Sequence, residues 1–318
     1  MNAAIIHTLG QPPRYGEFKD PTPTEGEKLI HVRAAGLHQL VKGIAAGRHY
    51  SGTPDLPFIP GVDCTGTLDD GSRVYCGFPR RPFGTMAERT VVPVHMCIPL
   101  PDGLDDITAA ALANPGMSAW LSLSWKAKIA PGETVLILGA TGSAGQLAVQ
   151  FAKLLGAARV IAAGRNPAAL DNLKTLGADA TIQLDQPTDA LVATFAEVAG
   201  SIDVVIDYLW GPPTEAFLQA LAQQPTLAAG RRIRLVEVGS MAGPNITLPA
   251  ALLRGQGLEI SGSGLGSASL DRIMQVIPEF FALAATGKIH IDTNPTPLSE
   301  VESAWANETK GSRTVFTI

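Results

Sequence analysis

The segment that most limits what this chain can fold into is Val135, Leu136, Ile137 and Leu138 followed by Gly139, Ala140, Thr141, Gly142, Ser143, Ala144 and Gly145. An unbroken apolar run of this length suits a strand buried on both faces of a parallel sheet. Immediately after the glycines, residues 146–155 place Leu147, Ala148, Phe151, Ala152 and Leu155 on one helical face. Strand, glycine turn and helix in that order let backbone approach a pyrophosphate without Cβ obstruction. The helix start adds free N–H groups and a positive dipole end. The bare alternative is a tight βα turn that holds no ligand.

The same rhythm continues through apolar segments 160–163, 204–206, 235–238 and 258–261, with helical patterns between most of them. Alternating β and α predicts a doubly wound parallel sheet, a Rossmann dinucleotide-binding domain over residues 115–263. Before it, segments 27–35, 62–68, 73–76 and 85–92 are short, often alternating, and separated by Gly and Pro. They predict an irregular, mostly antiparallel β-domain. A helix over 269–285 and a strand at 313–317 are too little for a domain, so residues 264–318 are expected to join residues 1–114. Asn114 and Pro115 read as a helix start, with Asn as N-cap and Pro at the first helical position.

About 20 residues beyond the glycine loop, an NAD site places a carboxylate against the ribose 2′-hydroxyl. Here the second strand ends in Gly164, Arg165 and Asn166. Arg165 suits a 2′-phosphate, which it can meet with a charge-assisted fork, so NADPH is the expected cofactor. A solvated loop arginine is the alternative. Tyr208, Gly239 and Ser240 follow two further strands at the sheet's carboxyl edge, where ligands bind in open α/β folds. For Asp207 and Tyr208, a capped turn serves as well.

Net charge is −5, and no Lys/Arg stripe is present, which argues against a nucleic-acid surface. No apolar run approaches the ~18 residues needed to span a bilayer, and the N-terminus lacks a basic region and cleavage pattern, so neither membrane nor signal peptide is expected. Cys64, Cys76 and Cys97 form neither a disulfide framework nor a zinc spacing, in keeping with a cytoplasmic protein.

Over essentially its whole length the sequence resembles the medium-chain dehydrogenase/reductase superfamily, in its zinc-free quinone oxidoreductase (zeta-crystallin-like) and enoyl reductase branch. The landmarks are Ala34 to Leu37, Gly47 to Tyr50, Leu56 to Gly66, Gly84 to Glu88, Asn114 to Trp120, the Gly139 to Gly145 loop and Leu176 to Asp179. The resemblance implies a GroES-like substrate domain formed by both chain ends, an active-site cleft beside the Rossmann domain, and a homodimer paired through 258–262. Zinc-dependent relatives carry Gly-His-Glu where this chain has Gly61, Val62 and Asp63, and their four-cysteine lobe retains only Cys97 here. No catalytic zinc set can be assembled. His38 and Val41 stand where the zinc-free branch usually has Asn and Asp.

Without a metal, a quinone or conjugated enone is a better hydride acceptor than a simple carbonyl, because its negative charge spreads over the conjugated system. Tyr50 matches the tyrosine that related enoyl reductases use as proton donor; packing against the nicotinamide or cleft wall is the alternative. His38 is a second candidate catalytic group, against a structural strand-end histidine. Ser118 is a candidate cofactor contact or a plain helix residue, and Asp63 a buried carboxylate that needs a partner. The leading expectation is an NADPH-dependent quinone or enone reductase. A trans-2-enoyl thioester reductase and a catalytically weak NADPH sensor are the alternatives.

Overall fold

Alternation along residues 27–36 produces the strand on which the first unit is built. In β3 (Glu27–Gly36), Ile30, Val32 and Ala34 turn inward while His31 and Arg33 face out. The computed structural model describes residues 1–50, 52, 54–225, 231–307 and 311–318. The chain divides into two compact units, Met1–Pro115 with Ile277–Ile318, and Gly116–Val276.

In the first unit β1 (Asn2–Ile5) pairs antiparallel with β2 (Arg14–Glu17). After β3 come α1 (Gln39–Ala45), β4 (Asp63–Thr67), β5 (Arg73–Gly77), β6 (Arg89–Pro93) and β7 (Cys97–Pro99). Antiparallel pairing runs β3–β4–β5–β7, and β6 lies against the other stretch of β3. Residues 85–88, expected to belong to a strand, precede β6 rather than extend it; Ala87 makes an isolated bridge to Ala3.

The next helix corrects an expectation. α2 runs Asp106–Leu121 and carries Pro115 in its interior, so Asn114 and Pro115 do not start it. The start is set upstream, where the Asp105 side chain accepts from the Thr108 backbone at 2.8 Å and takes the capping role. Pro115 is tolerated inside although it forfeits one backbone bond.

The second unit alternates β8 (Thr134–Leu138), α3 (Ser143–Leu154), β9 (Arg159–Gly164), α4 (Pro167–Thr175), β10 (Ala180–Gln183), α5 (Thr188–Ala199), β11 (Val204–Asp207), α6 (Gly211–Ala222), β12 (Ile233–Glu237), α7 (Ala250–Gly255) and β13 (Leu258–Gly262). All pairs in its sheet are parallel, in the order β10-β9-β8-β11-β12-β13. Strand progression reverses between β8 and β11, which makes their carboxyl ends the topological switch point. Leu136, Ile161, Val205 and Leu235 are fully buried between helical layers, and Phe195 and Phe217 pack edge to face at 5.8 Å.

After α8 (Leu270–Ala285) the chain returns through β14 (Thr293–Pro297), α9 (Val301–Ala306) and β15 (Arg313–Thr317). β15 pairs antiparallel with β3, and β14 lies parallel to β15. The sequence-distant end therefore completes the sheet begun by residues 27–36.

Candidate active site

At the switch point the sequence dictates the backbone path closely. Gly139 adopts φ +85°, and a Cβ there would stand 3.1–3.2 Å from Leu209 and Tyr208 atoms. Gly145 lies still tighter: a Cβ would meet the Gly139 carbonyl at 2.4 Å and Ala140 Cα at 2.5 Å. Gly164 lacks space because Thr141 Cγ2 would be 2.5 Å away. Gly145 and Gly164 are thus required by the protein's own packing of turn, helix and strand.

Gly142 differs. Its φ is −80°, and its missing Cβ would find only the Gly139 carbonyl, at 3.7 Å. Nothing in the chain demands glycine at this exposed position, whereas a ligand approaching the backbone would. Gly142 is the N-cap of α3 and offers no side chain to the first turn. The N–H groups of Ser143, Ala144 and Gly145 open that turn and form an anion-seeking end. The residues fit a dinucleotide pyrophosphate.

Arg165 is exposed just beyond β9. Its neighbour Asn166 has a local task, since its Oδ1 accepts from the Ala169 backbone at 3.2 Å and caps α4. Two sheet positions from β8, beyond β12, Gly239 is half-buried and Ser240 exposed. Gly239 fits against the Tyr208 carbonyl, which a Cβ would approach to 3.2 Å.

Asp207 ends β11 fully buried and organises the next turn. One carboxylate oxygen accepts from the backbones of Leu209 (2.8 Å) and Trp210 (2.9 Å), the other from the Thr214 hydroxyl at 2.5 Å. Burial raises its carboxyl, opposed by these donors. Tyr208, next in line, donates its backbone N–H to Leu138 across the switch point. Its hydroxyl is buried with no hydrogen-bond partner; burial pushes its pKa well up, and the adjacent Ser118 side chain offsets this without reaching bonding geometry. Ser118 and Tyr208, ninety positions apart, are brought together.

Sequence reasoning missed a hollow farther along the same edge, lined by Trp210, Glu237, Ser240, Pro244, Ile260 and Ser261. Trp210 has φ +54°, the left-handed region that a bulky residue rarely enters. Burial, then the Asp207 charge, raise the Glu237 carboxyl.

In the first unit Tyr50 and His38 have opposite settings. Tyr50 is 73% exposed and stacks on His49, with centroids 4.1 Å apart. His38 is fully buried at the N-terminus of α1. Its Nε2 lies 2.9 Å from Asp63 Oδ1, and the Tyr75 hydroxyl donates to Asp63 Oδ2 at 3.0 Å. Burial, then the Asp63 charge, hold the Tyr75 hydroxyl well above its usual range, so it remains a donor. Asp63 thus has the partners its burial calls for; Tyr75 had no signal in the sequence.

The three cysteines also assemble. Cys64 faces Cys76 across β4–β5, and Cys76 faces Cys97 across β5–β7. Cys64 and Cys76 sulfurs are 3.4 Å apart. The hydrogen bond with Cys64, then burial, raise Cys76 well above the ordinary thiol range, and burial pushes Cys97 up to about 11. Protonated thiols of this kind are poor nucleophiles. Among the described residues, no group of three His, Cys, Asp or Glu is arranged to hold a metal ion, and no helix is long and apolar enough to cross a membrane.

Residues 144–282 match the family model described as "Zinc-binding dehydrogenase". The chain is 30% identical to a probable NADPH-dependent quinone reductase of Emericella nidulans, with 99% of each chain covered. It is also 30% identical to a trans-enoyl reductase of Aspergillus terreus, over 58% of each chain. The quinone oxidoreductase of Thermus thermophilus, solved also with NADPH, superposes with a TM-score of 0.81 at 29% identity, covering 100% of both chains. Full-length likeness, parallel Rossmann sheet and separate mostly-β unit agree: the chain belongs to the quinone oxidoreductase branch of the medium-chain dehydrogenase/reductase superfamily.

Proposed function

We propose that this oxidoreductase uses NADPH to reduce quinones or conjugated enones by hydride transfer, without zinc. The observation that carries the reading is the open space at Gly142, which no contact within the chain requires to be glycine, beside the first turn of α3 that no side chain caps, in a chain resembling a probable NADPH-dependent quinone reductase end to end. Ser143, Ala144 and Gly145 would hold the pyrophosphate through backbone N–H groups. Arg165 would pair with the 2′-phosphate, and Thr141 and Gly164 would shape the ribose end. Tyr208, Ser118, Gly239 and Ser240 would border the nicotinamide end. When bound, NADPH supplies the hydride.

The chain's own part is to hold the acceptor in line and stabilise charge on its oxygen. Tyr50 is the accessible proton donor in this proposal, and His38 a buried polar group behind the chemistry. We further propose a cytoplasmic homodimer. The sheet-edge position of β13, with Glu259, Ser261 and Gly262 exposed at least in part, suits pairing with a second copy. The free cysteines Cys64, Cys76 and Cys97 suit a reducing compartment.

The test is cofactor oxidation followed by absorbance, with NADPH and NADH in parallel, against a quinone, an enone and a trans-2-enoyl thioester. Turnover of the first two with NADPH is expected. A preference for the thioester would favour the enoyl reductase alternative, and tight NADPH binding with no turnover would favour a sensor.

A further inference from the structure

Three strands of the second unit end in one row. β11, β12 and β13 lie side by side, and their register sets Asp207 beside Glu237 and Glu237 beside Gly262. Side chains two apart along a strand share a face, so this row continues the apolar row of Val205, Leu235 and Ile260. The core therefore stops at a carboxylate with a glycine next to it.

The two carboxylates of the row fare differently. Asp207 accepts from the backbones of Leu209 and Trp210 and from the Thr214 hydroxyl. Glu237 is half-buried, yet its carboxylate has no hydrogen-bond or ion-pair partner among the described residues. Arg232 and Arg234, the nearest cations in sequence, are engaged by Glu259 and Glu133. Gly262 is unusual in another way: a Cβ there would meet nothing within 4 Å, so no contact in the chain calls for glycine. Beside these two residues opens the hollow of about 390 Å³ that Ile260, Pro244 and Trp210 wall.

Trp210 stands at φ +54° and ψ −164°, next to a region of backbone space essentially reserved for glycine. Glycine would sit there without strain. The chain has tryptophan instead, packed in part on the core of the unit and lining the hollow as well. Strain held at such a position points to a use for the side chain.

The chemistry of the wall selects the ligand. An ionised carboxylate only accepts, so a quinone, whose carbonyl oxygens also accept, has nothing to give it. An ammonium group answers both unusual residues: its N–H groups donate to Glu237, and its charge is drawn to the indole face, the best aromatic partner for a cation. Ile260 and Pro244 suit an alkyl chain, and no Lys or Arg lines the hollow to oppose a positive charge. Burial, then the Asp207 charge, work against ionisation of Glu237, and a bound cation offsets both.

We propose that this hollow binds a primary alkylammonium compound, with the ammonium between the Glu237 carboxylate and the Trp210 ring and the alkyl chain against Ile260 and Pro244. The site lies wholly within the second unit and does not rest on the reductase reading.

The experiment is titration of the full-length protein with n-butylammonium chloride, followed by nitrogen–proton NMR of the tryptophan indoles. The Trp210 signal is assigned by its loss in Trp210→Phe. Sodium chloride at equal ionic strength and neutral n-butanol are the controls. A saturable shift of the Trp210 signal is expected with butylammonium, none with sodium chloride, and a much weaker one with butanol. Glu237→Gln is expected to weaken binding about tenfold or more. It strands no partner, so the remaining indole signals should keep their positions and report an intact fold. Gly262→Leu, which puts a side chain into open space beside the carboxylate, is expected to abolish binding. No saturable shift, an equal response to butanol, or unchanged affinity in Glu237→Gln would overturn the proposal. Ser240 also lines the hollow, so displacement of butylammonium by NADP⁺ would overturn it too, by giving the hollow to the cofactor.

Discussion

His38 and Asp63, twenty-five positions apart, meet ring nitrogen to carboxylate at 2.9 Å inside the first unit, with both side chains almost wholly excluded from solvent. Removing one member of such a pair leaves the other a buried polar group without its partner, a loss of about 1–3 kcal/mol. Asp63→Ala, which unpairs both His38 and Tyr75, is therefore expected to destabilise the protein by about 2–3 kcal/mol in urea unfolding. Asp63→Asn, which keeps a polar partner for Tyr75, should lose less. Equal and small effects would mean that the pair is already solvated.

The two glycines flanking the start of α3 should behave differently on mutation. Gly145→Ala forces a Cβ to within 2.4 Å of the Gly139 carbonyl, and overpacking of this kind costs about 1–3 kcal/mol. Gly142→Ala meets nothing closer than 3.7 Å, so thermal unfolding should barely move. Its expected effect is on NADPH, with KM raised about tenfold, or about 1.4 kcal/mol. Stability loss without a cofactor effect at Gly142 would place the ligand elsewhere.

Arg165→Ala is expected to weaken NADPH about tenfold while leaving NADH nearly unchanged, because only the 2′-phosphate is lost as a partner. Titration of both cofactors by fluorescence checks this. Equal weakening of the two would identify Arg165 as a general anchor rather than a discriminator.

A separate prediction concerns acid stability. The Arg80 hydrogen bond, opposed by burial, holds the Glu27 carboxyl below the usual range, with 2.7 Å between Arg80 Nε and Glu27 Oε1. A carboxyl depressed by folding adds stability above its unfolded pKa, near 4.3, and that contribution disappears as pH falls through the folded value. Arg80→Ala should therefore lower stability at neutral pH, by less than about 1 kcal/mol for this surface pair, and flatten the loss below pH ~4.3. Unfolding free energies across acid pH provide the comparison, and an unchanged slope would contradict the assignment.

Legibility in the sequence followed the range of the interactions. β8, the glycine turn and α3 were readable because burial on both faces, turn chemistry and helical period are all local. Asn114 and Pro115 misled because they imitate a helix start, while the effective cap, Asp105, lies nine positions before Asn114. The sequence showed that buried Asp63 needed a partner but carried no sign that Tyr75 and His38 would supply it, since the β4–β5 register brings Tyr75 within reach and His38 meets Asp63 from the start of α1. The row formed by Cys64, Cys76 and Cys97 was hidden for the same reason. Trp210 was unreadable as a site residue because its unusual backbone is imposed by the turn that Asp207 organises.

The central claim is hydride transfer from NADPH to a conjugated acceptor. The most direct test is turnover with NADPH deuterated at the transferring position of the nicotinamide, followed by mass spectrometry of a reduced enone. The account predicts one deuterium per product molecule, bound to carbon, with NADPH used in preference to NADH. Product without deuterium, or no product from any quinone or enone despite bound NADPH, would contradict it.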